Sequence, residues 1–98
     1  MFIISLNYKA SLESIDQELE KHIEYLNEQY ALGNFIASGR KVPRTGGIIL
    51  SKMNNKEELE RILDKDPFKK KNLAEYDITE FIASKTCQEL TFLSEGNE

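Results

Sequence analysis

The chain has 98 residues, 40% of them hydrophobic, and a formal net charge of −4 at pH 7. That length suits one domain with a small core, and the negative charge argues against nucleic acid, whose phosphates need a basic face. One cysteine, Cys87, excludes an internal disulfide; with no apolar run long enough to cross a bilayer and no basic segment before Met1–Leu6, a cytoplasmic protein off the membrane is expected.

Phe2 to Tyr8 reads as a strand, because Phe2, Ile4 and Leu6 alternate with Ile3 on the other face. Ser11 or Ser14 caps the helix that follows: Ser14 forms a capping box with Gln17, and Ser11 brings Glu13 into the first turn. This helix runs to about Leu32, where Gly33 suits a left-handed cap. Its apolar positions are Leu12, Ile15, Leu19, Ile23, Leu26 and Tyr30, spaced by threes and fours along one side. His22, the one histidine, falls inside that stripe, three after Leu19 and four before Leu26. A titratable ring turned toward a core needs a hydrogen-bond partner or a pocket. His22 is therefore a functional candidate, the alternative being a core histidine bonded to backbone.

Asn34 to Val42 is a second strand, with Gly39 where another backbone could approach closely. Pro43 to Gly47 is a turn and Ile48 to Met53 a third strand, so the two strands form a hairpin. Asn54 or Asn55 caps a second helix striped by Leu59, Ile62 and Leu63. It stops near Lys65, since Pro67 pushes Asp66 out of the helical region. A loop over Phe68 to Asn72 holds Lys69, Lys70 and Lys71, read as a solvated turn in preference to an anion site. Leu73 to Ser84 is the last long strand, and the parity change between Ile78 and Phe81 fits a bulge. Leu90, Phe92 and Leu93 add a short strand or pack as a tail, and Ser94 to Glu98 frays. Residues 1–86 make the domain and 87–98 the tail.

The order β-α-β-β-α-β predicts a ferredoxin-like α+β fold, an antiparallel sheet with both helices on one face. The other face needs a cover, and pairing two such sheets face to face supplies one, so a homodimer is expected.

No metal-ligand spacing, Walker loop or dinucleotide fingerprint is present, so neither metal nor cofactor is expected. Gly46-Gly47 carries a turn signal only, and Cys87 lacks a local base. What remains is a pair between His22 and a carboxylate. An aspartate that accepts from one ring nitrogen fixes the tautomer and raises the basicity of the other nitrogen. Asp66 is the preferred partner, because the following proline holds it extended; its other reading is a turn residue. His22 lies mid-helix and Asp66 beyond the second helix, so the two either touch or face one pocket from opposite sides.

His22-Ile23-Glu24-Tyr25-Leu26, Gly33, Ala37-Ser38-Gly39, the hairpin, Asp66-Pro67-Phe68 and Tyr76-Asp77-Ile78 occur in that order. Over residues 1–84 this pattern resembles the YciI-like (YCII-related) family, whose fold is similar to muconolactone isomerase and other dimeric α/β-barrel proteins. The resemblance implies a dimer, a small-molecule pocket near its interface, and a polar pair at His22 and Asp66. Two positions depart from the family pattern. Arg40 stands where a proline is common, and Asn72 stands where glycine is common; asparagine tolerates the left-handed conformation. Arg40 either adds a cation that favours an anionic organic ligand or is an exposed hairpin arginine. Ser38 and Tyr8 are placed beside the same pocket.

The function expected is a cofactor-independent isomerase- or lyase-type proton transfer, with His22 as base or acid and Asp66 orienting it. The alternative is a non-catalytic module of the same fold that binds a small ligand or a protein.

Overall fold

The structure is a computed structural model that describes residues 1–95. It comprises β1 (Phe2–Tyr8), α1 (Leu12–Ala31), β2 (Phe35–Arg40), β3 (Gly46–Ser51), α2 (Lys56–Leu63), α3 (Pro67–Lys70), β4 (Ala74–Glu80) and a 3-10 segment, Gln88–Leu93. The sheet has four antiparallel strands in the order β2-β3-β1-β4. This is the expected α+β ferredoxin-like arrangement.

Local chemistry explains most boundaries. Ser11 is the cap of α1, since its hydroxyl accepts the Ser14 N–H at 3.2 Å, and Gly33 takes a positive φ of 78° where the chain leaves the helix. Asn55, rather than Asn54, caps α2 by accepting from the Glu58 N–H at 3.0 Å. Asn72 adopts φ 56°, the left-handed conformation that its short polar side chain tolerates.

Alternation in β1 sends Phe2, Ile4 and Leu6 onto one face, where they meet Ile15 and Tyr25 of α1 and Leu59 and Leu63 of α2. The buried side of α1 is rotated from the apolar stripe. Ile15, His22, Tyr25 and Gln29 are buried, while Leu12, Ile23 and Tyr30 lie on an exposed flank. Apolar spacing fixed the side of the helix to within one residue step.

Several expectations are corrected. The stretch after Asp66 is not all loop: Pro67–Lys70 forms the short helix α3, because proline at the first helical position loses no intrahelical bond. Of the three lysines there, Lys69 pairs with Asp64 at 2.8 Å and Lys71 with Glu18 at 3.1 Å. Gly46 and Gly47 open β3 instead of forming a turn. The close approach falls at Gly46, where a Cβ would lie 1.7 Å from the Leu6 carbonyl oxygen, whereas Gly39 has open space around it. β4 ends at Glu80 and pairs with β1 without a register shift, so the parity change falls past the strand; the bulge is in β2, between Phe35 and Ala37.

The opposite sheet face is partly covered by this chain's own tail. Leu93 and Ala83 join Met1 against Ile36 and Leu50, and the amino terminus bonds Glu95 at 3.1 Å. Leu90, Phe92 and Leu93 thus belong to a 3-10 tail and not to a strand; Leu93 packs, while Leu90 and Phe92 are exposed. Of the residues expected to fray, Ser94 and Glu95 are bonded, their N–H groups donating to the Thr91 and Ala83 carbonyls at 3.0 Å, and residues 96–98 lie outside the described residues. Ile3 and Ile48 remain half-buried on the uncovered part of that face.

Candidate functional site

Asp66 is the anchor of the site. The chain leaves α2, turns extended at Asp66 (φ −66°, ψ 127°) and enters α3 at Pro67, so Asp66 is the α3 cap. Its carboxylate is 0% exposed and meets three donors. Oδ1 accepts from the Phe68 N–H at 3.0 Å and lies 2.8 Å from His22 Nδ1. Oδ2 accepts from the Tyr76 hydroxyl at 2.6 Å. A carboxylate surrounded by donors is an acceptor only, so His22 Nδ1 carries the hydrogen and donates it. That tautomer leaves the lone pair on Nε2.

The ring itself is tightly held. His22 stacks on Phe68 with centroids 4.0 Å apart and planes at 6°, and Tyr25, three residues further along α1, stacks at 6.4 Å. Tyr25 is fixed in turn by its hydroxyl, which donates to the Ile62 carbonyl at 2.8 Å. A stacked ring with one nitrogen bonded has little freedom to turn, and so Nε2 points in one direction. Among the described residues Nε2 makes no hydrogen bond. Glu18 Oε2 is the one sealed side-chain N or O atom found without a partner, so Nε2 keeps access to solvent.

Both tyrosines hold their protons more firmly than usual. Burial is the larger cause, and the Asp66 carboxylate adds to it, pushing the Tyr76 and Tyr25 phenols well above the ordinary tyrosine range. The unfolded chain releases these protons near pH 10 while the folded chain keeps them, so stability is whole below that pH and falls as pH rises above it. The expected result is a shallower loss of stability above about pH 10 in the Tyr76→Phe variant, measured against its own stability at neutral pH by urea unfolding followed by circular dichroism. Identical alkaline profiles would show that Tyr76 is not so buried.

His22 forms part of the wall of a cavity of about 160 Å3 between α1 and the sheet. Leu19, Ile23 and Leu26 line it from α1, Leu6 and Tyr8 from β1, Ser38 and Arg40 from β2, Ile49 from β3, and Phe68 from α3. The lining is mostly apolar, with a few polar groups converging on it, as small-ligand sites are. Arg40 is its one formally charged side chain and pairs with no carboxylate among the described residues. Ser38 Oγ is engaged with the Tyr30 hydroxyl, and the Tyr8 ring meets Phe68 edge-on at 6.1 Å. A cavity of this size accepts a molecule of about one six-membered ring.

The structure thus brings His22, Ser38, Arg40 and Tyr8 to one cavity. Asp66 touches His22 directly but does not reach the cavity; it stands behind the ring. Sequence reasoning gave no role to Tyr76 or to the stacking of Phe68. A signal existed for both: Phe68 follows the Asp-Pro pair, and Tyr76 shares the core-facing parity of Ala74 and Ile78 in β4. Cys87 is exposed. Among the described residues, no three His, Cys, Asp or Glu side chains converge as a metal ion would require, and no helix is long and apolar enough to cross a membrane.

A family model described as the YCII-related domain matches residues 1–82. No curated protein matches the chain. Among solved structures, the chain is similar to 5-chloro-2-hydroxyhydroquinone dehydrochlorinase (TftG) from Burkholderia phenoliruptrix AC1100, in complex with 2,5-dihydroxybenzoquinone. The two are 17% identical, with a TM-score of 0.69 over 83% of this chain and 93% of that one. The likeness is one of fold.

Proposed function

The chain belongs to the YCII-related domain family, and on that premise we propose that it is a cofactor-independent enzyme that moves a proton on a small organic molecule, as a lyase or isomerase does. One observation carries this reading: His22, its Nδ1 pinned by a buried carboxylate and its Nε2 without a hydrogen bond, lines the cavity. His22 is the catalytic base. Nε2 takes a proton from a carbon or hydroxyl of the bound molecule, and Asp66 stabilises the imidazolium that results. The proton then returns to the product at another atom, completing an isomerisation, or passes to water as a leaving group departs, completing an elimination. Asp66 is a positioning residue, since it touches the ring and not the cavity. Phe68 and Tyr76 hold that pair in register.

The dehydrochlorinase with the same fold supports the elimination branch, because loss of hydrogen chloride needs a base and no redox partner. Ser38 and Tyr8 complete the polar lining. The uncovered part of the sheet, with Ile3 and Ile48, pairs with a second copy to form a homodimer, as the half-buried apolar side chains there favour. A single unpaired cysteine suits a reducing cytoplasm.

The test uses 5-chloro-2-hydroxyhydroquinone as the first substrate tried, with chloride release as the readout, and deuterium exchange of acidic protons over a panel of single-ring hydroxy and keto compounds. His22→Gln is expected to lower the rate by about 10²–10⁴-fold, the range for a lost general base, with the fold retained. Turnover at the wild-type rate in His22→Gln would contradict the mechanism.

A further inference from the structure

We infer that the ligand is a monoanion about one ring in size, its negative group held by Arg40 and its reacting atom facing His22. This rests on the reading of the cavity as the reaction site and adds the class of molecule that fills it.

Three observations converge on that class. The first is size: about 160 Å3, walled by Leu6, Leu19, Leu26, Ile49 and Phe68, accommodates a ring and excludes a bulky chain. The second is charge. The protein carries −4 overall, yet no acidic side chain lines the cavity, and the Asp66 carboxylate stands behind the His22 ring with its donors already supplied. Arg40 is the one formally charged side chain in that lining. The third is availability. Arg44, the next arginine along the chain, is tied to Asp16 of α1, whereas Arg40, itself exposed, has no ionic partner among the described residues.

Arg40 lines the cavity from β2 and His22 lines it from α1. Arg40 pairs with Gly47 near the end of β2, and Gly47 presents no side chain between the guanidinium and the cavity. Ser38 and Arg40, two residues apart on β2, both line the cavity. His22 approaches from α1 above. A planar molecule lying between helix and sheet then spans from the guanidinium, which grips a carboxylate or phenolate through two parallel hydrogen bonds, to Nε2. Arg40 serves as a specificity residue: it selects the anion and orients the far end toward the base.

Benzoate and its neutral isostere benzamide serve as probes, titrated into the 15N-labelled protein by NMR. The expected result is that benzoate shifts the amides of Leu19, His22 and Ile49 and binds at least about tenfold more tightly than benzamide, the low end for a charge-assisted hydrogen bond. Arg40→Gln is expected to erase that preference, and Arg40→Lys to restore part of it. Equal binding of the two probes by the wild-type protein overturns the role of Arg40 and leaves the cavity as the reaction site. Shifts by neither probe overturn both the inference and the reading beneath it. Preference for benzoate that survives in Arg40→Gln assigns the anion to another group and overturns the inference.

Discussion

Asp66→Ala is expected to destabilise the protein by about 3–5 kcal/mol, the usual cost of breaking a buried charged pair by removing one partner. The carboxylate is fully buried and satisfies three donors from three elements: the His22 ring on α1, the Phe68 amide in α3 and the Tyr76 hydroxyl on β4. Alanine leaves all three without a partner and opens a small void where they met. Each unsatisfied buried donor alone costs about 1–3 kcal/mol. Domains of this size are stable by only about 5–15 kcal/mol, so the variant would sit near the edge of folding. Asp66→Asn is the informative companion. It keeps the volume and one acceptor, but its amide group meets a donor, so about half of the loss is expected while His22 loses the anion that stabilises its charged form. Urea unfolding checks both, and an unchanged midpoint in Asp66→Ala would show that the three bonds do not form.

Gly46→Ala is expected to cost about 3 kcal/mol or more, among the largest effects of adding one methyl group. The new Cβ would lie 1.7 Å from the Leu6 carbonyl oxygen, and backbone cannot swing aside as a side chain tip can. β1 and β3 pair here, Leu6 against Gly47 and Asn7 against Gly46, so the ladder must part at this end. Gly47 and Leu6 also line the cavity, and therefore ligand binding should weaken along with stability. Gly39→Ala is the control. Nothing lies within 4 Å of its Cβ position, and its expected effect is small. Thermal melting separates the two; equal melting temperatures would contradict the packing around Gly46.

What the sequence made legible was governed by short-range rules. Alternation marked Phe2, Ile4 and Leu6 as one face of a strand, and Pro67 marked Asp66 as the end of a helical run. Spacing put His22 on the inner side of α1, and the element order then implied the sheet. The rest depended on distances between elements. Tyr76 shares a face with Ile78, but nothing in its spacing says that its hydroxyl reaches across β4 to the α3 cap. A helix of four residues, α3, is too short to show a period. Tyr25 and Gln29 are buried because neighbouring elements rotate α1 past its apolar stripe, and this leaves Ile23 47% exposed at the cavity rim. Gly46-Gly47 looks like a turn to any local rule; only the neighbouring strand explains why Gly46 must lack a side chain. The tail over Leu50 is a similar case, since Leu93 and Ala83 find their partners only once the sheet exists.

The central claim is that Asp66 fixes the His22 ring with hydrogen on Nδ1 and a free lone pair on Nε2. With one histidine in the chain, 15N NMR of the imidazole reads this without overlap, at a pH where the ring is neutral. The expected spectrum shows a protonated Nδ1, an unprotonated Nε2, and movement of the Nε2 resonance when a ring-sized ligand enters. A neutral ring carrying its hydrogen on Nε2, indifferent to ligand, would contradict it.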